Sequence, residues 1–263
     1  MNMIRRLFAV LALMLVSASA FAADANCNMT NVEELRYSWR LKGGVRFIAG
    51  LIFPTRGVGS FRTTYGGDHA VHSELVITAP AGKQDGFYQY ESQLDDRDAR
   101  TLMTYHGYAW GKKSRNERTI FDYVKRLARI RKQTPEQVEN RVKQLPSDQQ
   151  QTRDILTAIY FLRQHAHTLN APIQTSIYTD GREYPVIFRP AATNTSLMID
   201  GRRVLVKEFA IVDAPGGRKW QGGVKVWLSA DERRIPVRIE IQQSIASMQL
   251  DLQSIESCAF PRN

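Results

Sequence analysis

The sequence predicts a mainly β protein of β-rich α+β type: a large curved antiparallel sheet, barrel or half-barrel, with one packed helix and a basic helical insertion. Three observations carry this. In Val224–Ile241, Val224, Val226 and Leu228 alternate with Lys225 and Trp227, and Ile235, Val237, Ile239 and Ile241 alternate with Pro236, Arg238 and Glu240. Period-2 alternation on both sides of the polar connection Ser229–Arg234 reads as a hairpin with one face in a core and one in water. Asp180-Gly181 and Asp200-Gly201 each sit between alternating apolar residues, a strong hairpin signal. Thr152–His165 places Ile155, Ile159 and Leu162 on one helical face with Leu156 and Tyr160 beside them, so this helix should pack on the sheet. Many strands with one helix favour an antiparallel sheet over a parallel α/β one.

Taken in order, Leu35, Tyr37, Trp39 and Leu41 alternate with Arg36, Ser38 and Arg40, and Gly43-Gly44 makes a turn. Val45–Phe53 is an apolar run ended by Pro54. Val58–Tyr65, His69–Thr78 and Phe87–Leu94 read as strands separated by Gly66-Gly67-Asp68 and by the loop Pro80–Gly86. Leu102–Trp110 and Arg118–Tyr123 flank the polar turn Lys112–Asn116. Thr134-Pro-Glu-Gln137 has the form of a helix start: a capping threonine, proline at the first helical position and a glutamine completing a capping box. The residues around it, about 124–146, are strongly basic and are expected to be a helical insertion. Strands return from Ile173, with Pro215-Gly-Gly217 as a further turn. Met248, Leu250 and Leu252 supply a final strand.

Residues 1–22 read as a signal peptide rather than part of the fold. Arg5 and Arg6 precede an apolar run, Leu7–Val16, too short to span a bilayer, and Ala20-Phe21-Ala22 is a small-residue cleavage signal. The expected product is a single β-rich domain, 23–263, in the periplasm. Its two cysteines, Cys27 and Cys258, stand near its ends. In an exported protein such a pair reads as a disulfide, and the closure of so long a loop is worth at most about 5 kcal/mol. The formal charge is +10, of which Arg5 and Arg6 contribute two, leaving +8 on the exported chain. Outside the cytoplasm a basic surface points to lipid headgroups or other anionic envelope molecules rather than nucleic acid.

Two stretches resemble a known family. Asp154-Ile-Leu-Thr-Ala-Ile-Tyr-Phe-Leu-Arg163, followed by Val226-Trp-Leu-Ser-Ala-Asp-Glu-Arg-Arg-Ile-Pro-Val-Arg-Ile239, is similar to the paired motifs of the exported bacterial family called domain of unknown function 3108, and Phe121-Asp122 looks like its earlier Phe-Asp element. The resemblance implies a periplasmic β-rich protein and brings no established activity.

No cofactor motif is present, and no residues form a recognisable catalytic set. His165-x-His167 and His69-x-x-His72 do not share a face at helical and strand spacing respectively, and no cysteine or carboxylate cluster completes a metal site. Asp95-Asp-Arg-Asp98 lacks the glycine and distal glutamate of a calcium loop. Asp154 and Arg163 lie on roughly opposite sides of the helix. Each is expected to tie the helix to the hairpin, Asp154 through Arg234 or Arg238, and Arg163 through Asp231. The aromatics Tyr37, Trp39, Phe61, Tyr88, Tyr90, Tyr105, Tyr108 and Trp110 either fill a barrel core or line a cavity for an amphiphile; Trp39, Tyr88, Tyr90 and Trp110 are the candidate ligand-binding residues. The expected function is non-enzymatic binding of an apolar or amphiphilic cell-envelope molecule. The alternatives are an assembly factor binding an envelope protein and, with least support, a cell-wall or polysaccharide hydrolase. The basic segment 124–145, with apolar residues at helical spacing, would allow peripheral contact with an anionic membrane.

Overall fold

The structure, a computed structural model, describes residues 31–43, 55–79, 86–110, 113–145, 152–179, 181–216, 219–220, 223–242 and 247–257. The expected signal peptide, the apolar run 45–53, and Cys27 and Cys258 lie outside the described residues. Eight strands precede the helix: β1 (Val32–Lys42), β2 (Arg56–Tyr65), β3 (Ala70–Thr78), β4 (Gly86–Asp95), β5 (Arg100–Trp110), β6 (Lys113–Asp122), β7 (Leu127–Gln133) and β8 (Val138–Gln144). After α1 (Ile155–His165) come β9 (Ile173–Thr179), β10 (Arg182–Pro190), β11 (Thr195–Ile199), β12 (Arg202–Asp213), β13 (Gly223–Ser229), β14 (Pro236–Gln242) and β15 (Ser247–Ser257).

All fifteen strands belong to one sheet, in the order β8-β7-β6-β5-β4-β3-β2-β1-β15-β14-β13-β12-β10-β9, with β11 beside β12. Two meandering arms are joined where β1 pairs antiparallel with β15, Tyr37 opposite Leu252 and Trp39 opposite Leu250. The turns follow the sequence signals. Asp200 and Gly201 both have positive φ, 47° and 73°, as a type I′ hairpin turn needs. The hairpin of β13 and β14 pairs Val226 with Ile239 and Trp227 with Arg238. Val224, Val226, Val237 and Ile239 are buried in the core. On the opposite face, Trp227 lies beneath the Lys225 and Arg238 side chains.

Helix α1 lies inside the curve of the sheet. Leu156, Ala158, Ile159, Tyr160 and Leu162 are all buried, so the helix is enclosed on most sides rather than laid on a surface. It approaches β3, β4 and β9. A row of short, buried hydroxyl side chains crosses the inner face: Thr63, Ser73, Ser92, Thr104 and Thr119 are successive cross-strand neighbours on β2 to β6, and Ser92 bonds the helix cap Asp154.

The sheet does not close through a continuous ladder. Its edges are β8 and β9, and side chains bridge them instead. Tyr178 packs edge-on against Phe121, ring centroids 4.8 Å apart, and Lys143 Nζ donates to the Gly181 carbonyl at 2.5 Å. At the helix end of the seam, the extended residues Thr152 and Arg153 reach both sides. Thr101 N donates to the Thr152 carbonyl at 2.9 Å and Tyr178 N to the Arg153 carbonyl at 2.7 Å.

The basic helical insertion expected at 124–146 is corrected: this segment is the β7–β8 hairpin. Buried Ala128 and Ile130 alternate with exposed Arg129 and Arg131, a strand pattern that the basic composition masked. Thr134-Pro-Glu-Gln137 is the hairpin turn, with Thr134 N donating to the Gln137 carbonyl at 2.9 Å and Gln137 N to Thr134 Oγ1 at 3.3 Å. Capping residues are also turn residues, and the ladder offered by β6 decided between them. Lysines and arginines on an outermost strand also disfavour pairing with another chain.

Candidate functional site

At one end of the sheet, the end where β1, β3, β5, β12 and β14 finish, the core opens into a cavity of about 610 Å³. Trp39 comes from β1, Leu75 and Ile77 from β3, Tyr88 and Tyr90 from β4, and His106 and Tyr108 from β5. Ile155 and Leu156 at the start of α1 lie beneath. The inward-facing residues of neighbouring strands stand directly opposite: Ile77 against Tyr88, Leu75 against Tyr90, Tyr90 against His106. One wall is therefore continuous and mostly aromatic. The His106 ring sits between those of Tyr88 and Tyr90, at 4.9 and 5.5 Å. Phe87 and Tyr88 are more than a third exposed, 37% and 38%, and mark the mouth.

Trp39 is fixed in place. Its Nε1 donates to the Thr78 carbonyl at 2.9 Å, and Gly57 makes room for it. A Cβ on Gly57 would lie 2.5 Å from Trp39 Nε1 and 2.1 Å from the Thr78 carbonyl oxygen. Of the candidate ligand-binding residues, Trp39, Tyr88 and Tyr90 meet at this cavity, and the Trp110 side chain lies outside the described residues. Of the other aromatics, Tyr108 also lines the cavity. Tyr37 and Phe61 belong to the core, and Tyr105 faces outward among Glu91, Arg118 and Arg131.

Beyond the cavity floor, Asp154 caps α1 while fully buried. Its carboxylate accepts from Thr157 N at 3.0 Å, Ser92 Oγ at 2.5 Å and Thr101 Oγ1 at 3.3 Å. Burial pushes its pKa up to about 6, against the opposing pull of these hydrogen bonds. The expected partners Arg234 and Arg238 do not reach it. Arg238 Nε binds Asp251 Oδ1 at 2.5 Å across the outer face, and Arg234 Nη1 donates to the carbonyls of Arg163 and Gln164, both at 3.1 Å, at the C-terminal end of the helix. Neither does Arg163 pair with Asp231. Arg163 is bidentate to Glu33, 2.7 and 2.8 Å, and its Nε donates to the Arg234 carbonyl at 3.0 Å. Asp231 instead accepts from Ser229 Oγ at 2.6 Å and Arg233 Nη2 at 2.9 Å. The physical reason is spacing along the hairpin turn: Ser229 and Arg233 are within two residues of Asp231, leaving backbone carbonyls to face the helix.

Among the described residues no group of three or more His, Cys, Asp or Glu is placed to hold a metal ion. His69 Nδ1 lies 2.7 Å from Asp96 Oδ1, and His165 Nδ1 2.9 Å from the Phe161 carbonyl. The arrangement suits enclosure of an apolar guest, with polar groups at one wall.

A curved, incompletely closed antiparallel sheet wrapped around a helix and an apolar cavity defines a β-barrel-like protein. A crystal structure of a β-barrel-like protein of domain of unknown function DUF1849 from Brucella abortus is similar over 88% of this chain and 99% of that one, with a TM-score of 0.58 and 9% identity, a likeness of fold alone. The chain belongs to the family described as protein of unknown function (DUF3108), whose model matches residues 55–253. No curated protein matches it.

Proposed function

We propose that this protein is a non-enzymatic binding protein that holds an apolar or amphiphilic cell-envelope molecule in the cavity, after export to the periplasm through a cleaved signal at 1–22. The observation that carries the reading is the cavity itself. About 610 Å³ lies within the range of small-molecule sites, and its lining is largely aliphatic and aromatic. A guest entering through the mouth at Phe87 and Tyr88 would cover apolar surface that otherwise faces water, which favours binding. Peripheral contact with an anionic membrane is part of the same reading, through the outer face of the β6–β8 region. There Ile120, Val138 and Val142 are exposed at 46%, 51% and 64% beside Arg118, Arg129 and Arg131. Such a face combines apolar contact with positive charge.

The experiment is native mass spectrometry of the protein purified from the envelope fraction of its cells, followed by titration of stripped protein with the neutral dye N-phenyl-1-naphthylamine. A co-purifying small-molecule mass and saturable dye uptake, displaced by that molecule, are expected. A protein that carries nothing and takes up no dye overturns the reading.

A further inference from the structure

We infer that the guest of this cavity is an acyl chain ended by a carboxylate or phosphate, its head seated on the inward face of β6–β8. The inference rests on the cavity reading above and adds the chemistry of the guest.

The inner surface of the sheet changes character in one step. On β5 it presents His106 and Tyr108 to the cavity. Directly opposite on β6 stand Glu117 and Arg115, and their Cβ atoms are about 5 Å from those of their partners. Beside them Lys132 on β7 and Glu139 on β8 continue this polar row, whereas Phe121, Ala128 and Ile130 keep the rest of the inner face of β6 and β7 apolar. A separate small hollow of about 60 Å³ lies there, lined by the polar row together with Arg141, Lys143, Ile130 and Gly181. Inward positions of a curved sheet normally take apolar side chains, as Leu35, Tyr37 and Trp39 do on β1, Leu75 and Ile77 on β3, and Val237 and Ile239 on β14. Placing cations there is costly unless water or an anion meets them.

The charges in this hollow do not balance. Arg115 Nη2 lies 2.6 Å from Glu117 Oε2, and Arg141 pairs with Glu139. These two pairs neutralise the two carboxylates. Lys132 pairs with no described carboxylate, and Lys143 donates to the Gly181 carbonyl, a neutral acceptor. Two positive charges are left on half-buried side chains, Lys132 in register with Glu117 and, beyond it, His106 of the cavity wall, and Lys143 at the far side of the hollow. Charge-assisted hydrogen bonds from such groups favour an anionic oxygen over a neutral hydroxyl. A hydrocarbon tail running past Tyr108 and His106 would enter the cavity with its head at this hollow.

The test compares three probes of equal chain length, dodecanoate, dodecyl phosphate and dodecan-1-ol, by displacement of the neutral dye at about 0.15 M salt. At least one anionic probe should bind about tenfold or more tightly than the alcohol, and which one does distinguishes the two heads. The double variant Lys132→Gln/Lys143→Gln should remove that preference while leaving the affinity for dodecan-1-ol unchanged. If the double variant does not fold, Lys132→Gln alone should reduce the preference by about threefold. The variant Arg129→Gln/Arg131→Gln, on the opposite face, should leave it intact. Equal affinity for all three probes overturns the head-group inference while leaving the cavity reading standing. So does a preference that survives loss of the inner cations or disappears with the outer ones. Binding of none of the three, the alcohol included, overturns both.

Discussion

Arg163 and Glu33, 130 residues apart, meet in the interior through two parallel hydrogen bonds of 2.7 and 2.8 Å, with their side chains only 1% and 2% exposed. The pair locks the last turn of the internal helix to the first strand. Arg163 also donates to the carbonyls of Arg233 and Arg234, so one guanidinium joins helix, β1 and the β13–β14 turn. Bidentate geometry with the remaining donors satisfied is the arrangement in which burying two charges is best compensated.

Removing one partner strands the other. Glu33→Leu and Arg163→Met are each expected to lower stability by about 3–5 kcal/mol, while Glu33→Leu/Arg163→Met should lose less than the sum of the two. Urea denaturation of the four proteins, arranged as a double-mutant cycle, gives the coupling. Additive losses would contradict the pairing.

Asp154 makes stability depend on pH in the opposite direction to an ordinary paired carboxylate. Its folded pKa, about 6, lies above the unfolded value of 3.8, so the folded state binds the proton more tightly. The contribution of this group is greatest below about pH 4, falls as pH rises to about 6, and is flat above. The size of the change is about 3 kcal/mol. Asp154→Asn retains a capping acceptor, and the surrounding hydroxyls can rotate to meet its amide. Chemical denaturation from pH 4 to 7 should therefore show the variant gaining on the parent across that window. A constant difference between the two would refute the titration.

Gly57 controls the shape of the cavity from behind its wall. Gly57→Ala puts a methyl group where Trp39 Nε1 and the Thr78 carbonyl already stand. The indole must leave its hydrogen bond, at a cost of about 1–3 kcal/mol in stability and with a shift in tryptophan fluorescence. Dye affinity should fall about tenfold as the wall moves. Gly67→Ala, whose Cβ would meet nothing within 4 Å, is the control and should change neither. Unaltered dye binding by Gly57→Ala would remove Trp39 from the site.

Residue order alone made the strands, most turns and the internal helix readable, because period-2 alternation, Asp-Gly pairs and a 3.6-residue apolar stripe are local patterns with local causes. Trp39, Tyr88 and Tyr90 were also recognisable as candidates, since aromatics on the inner face of a curved sheet must face either core or cavity. Tertiary structure decided the rest. At 124–145 the turn-or-cap residues Thr134–Gln137 and the alternation of Ala128 and Ile130 with arginines were compatible with two local structures, and only the open edge of β6 selected the hairpin. No local signal pairs Glu33 with Arg163, or sets Ser92 and Thr101 beside Asp154, because their meeting depends on how far the sheet curls before the helix enters it. The same register places Arg115 directly opposite Tyr108 of the aromatic wall and gathers Lys132 and Lys143 with it around one hollow. A charge in sequence has no direction, and only the pleat and register of the strands aim it inward.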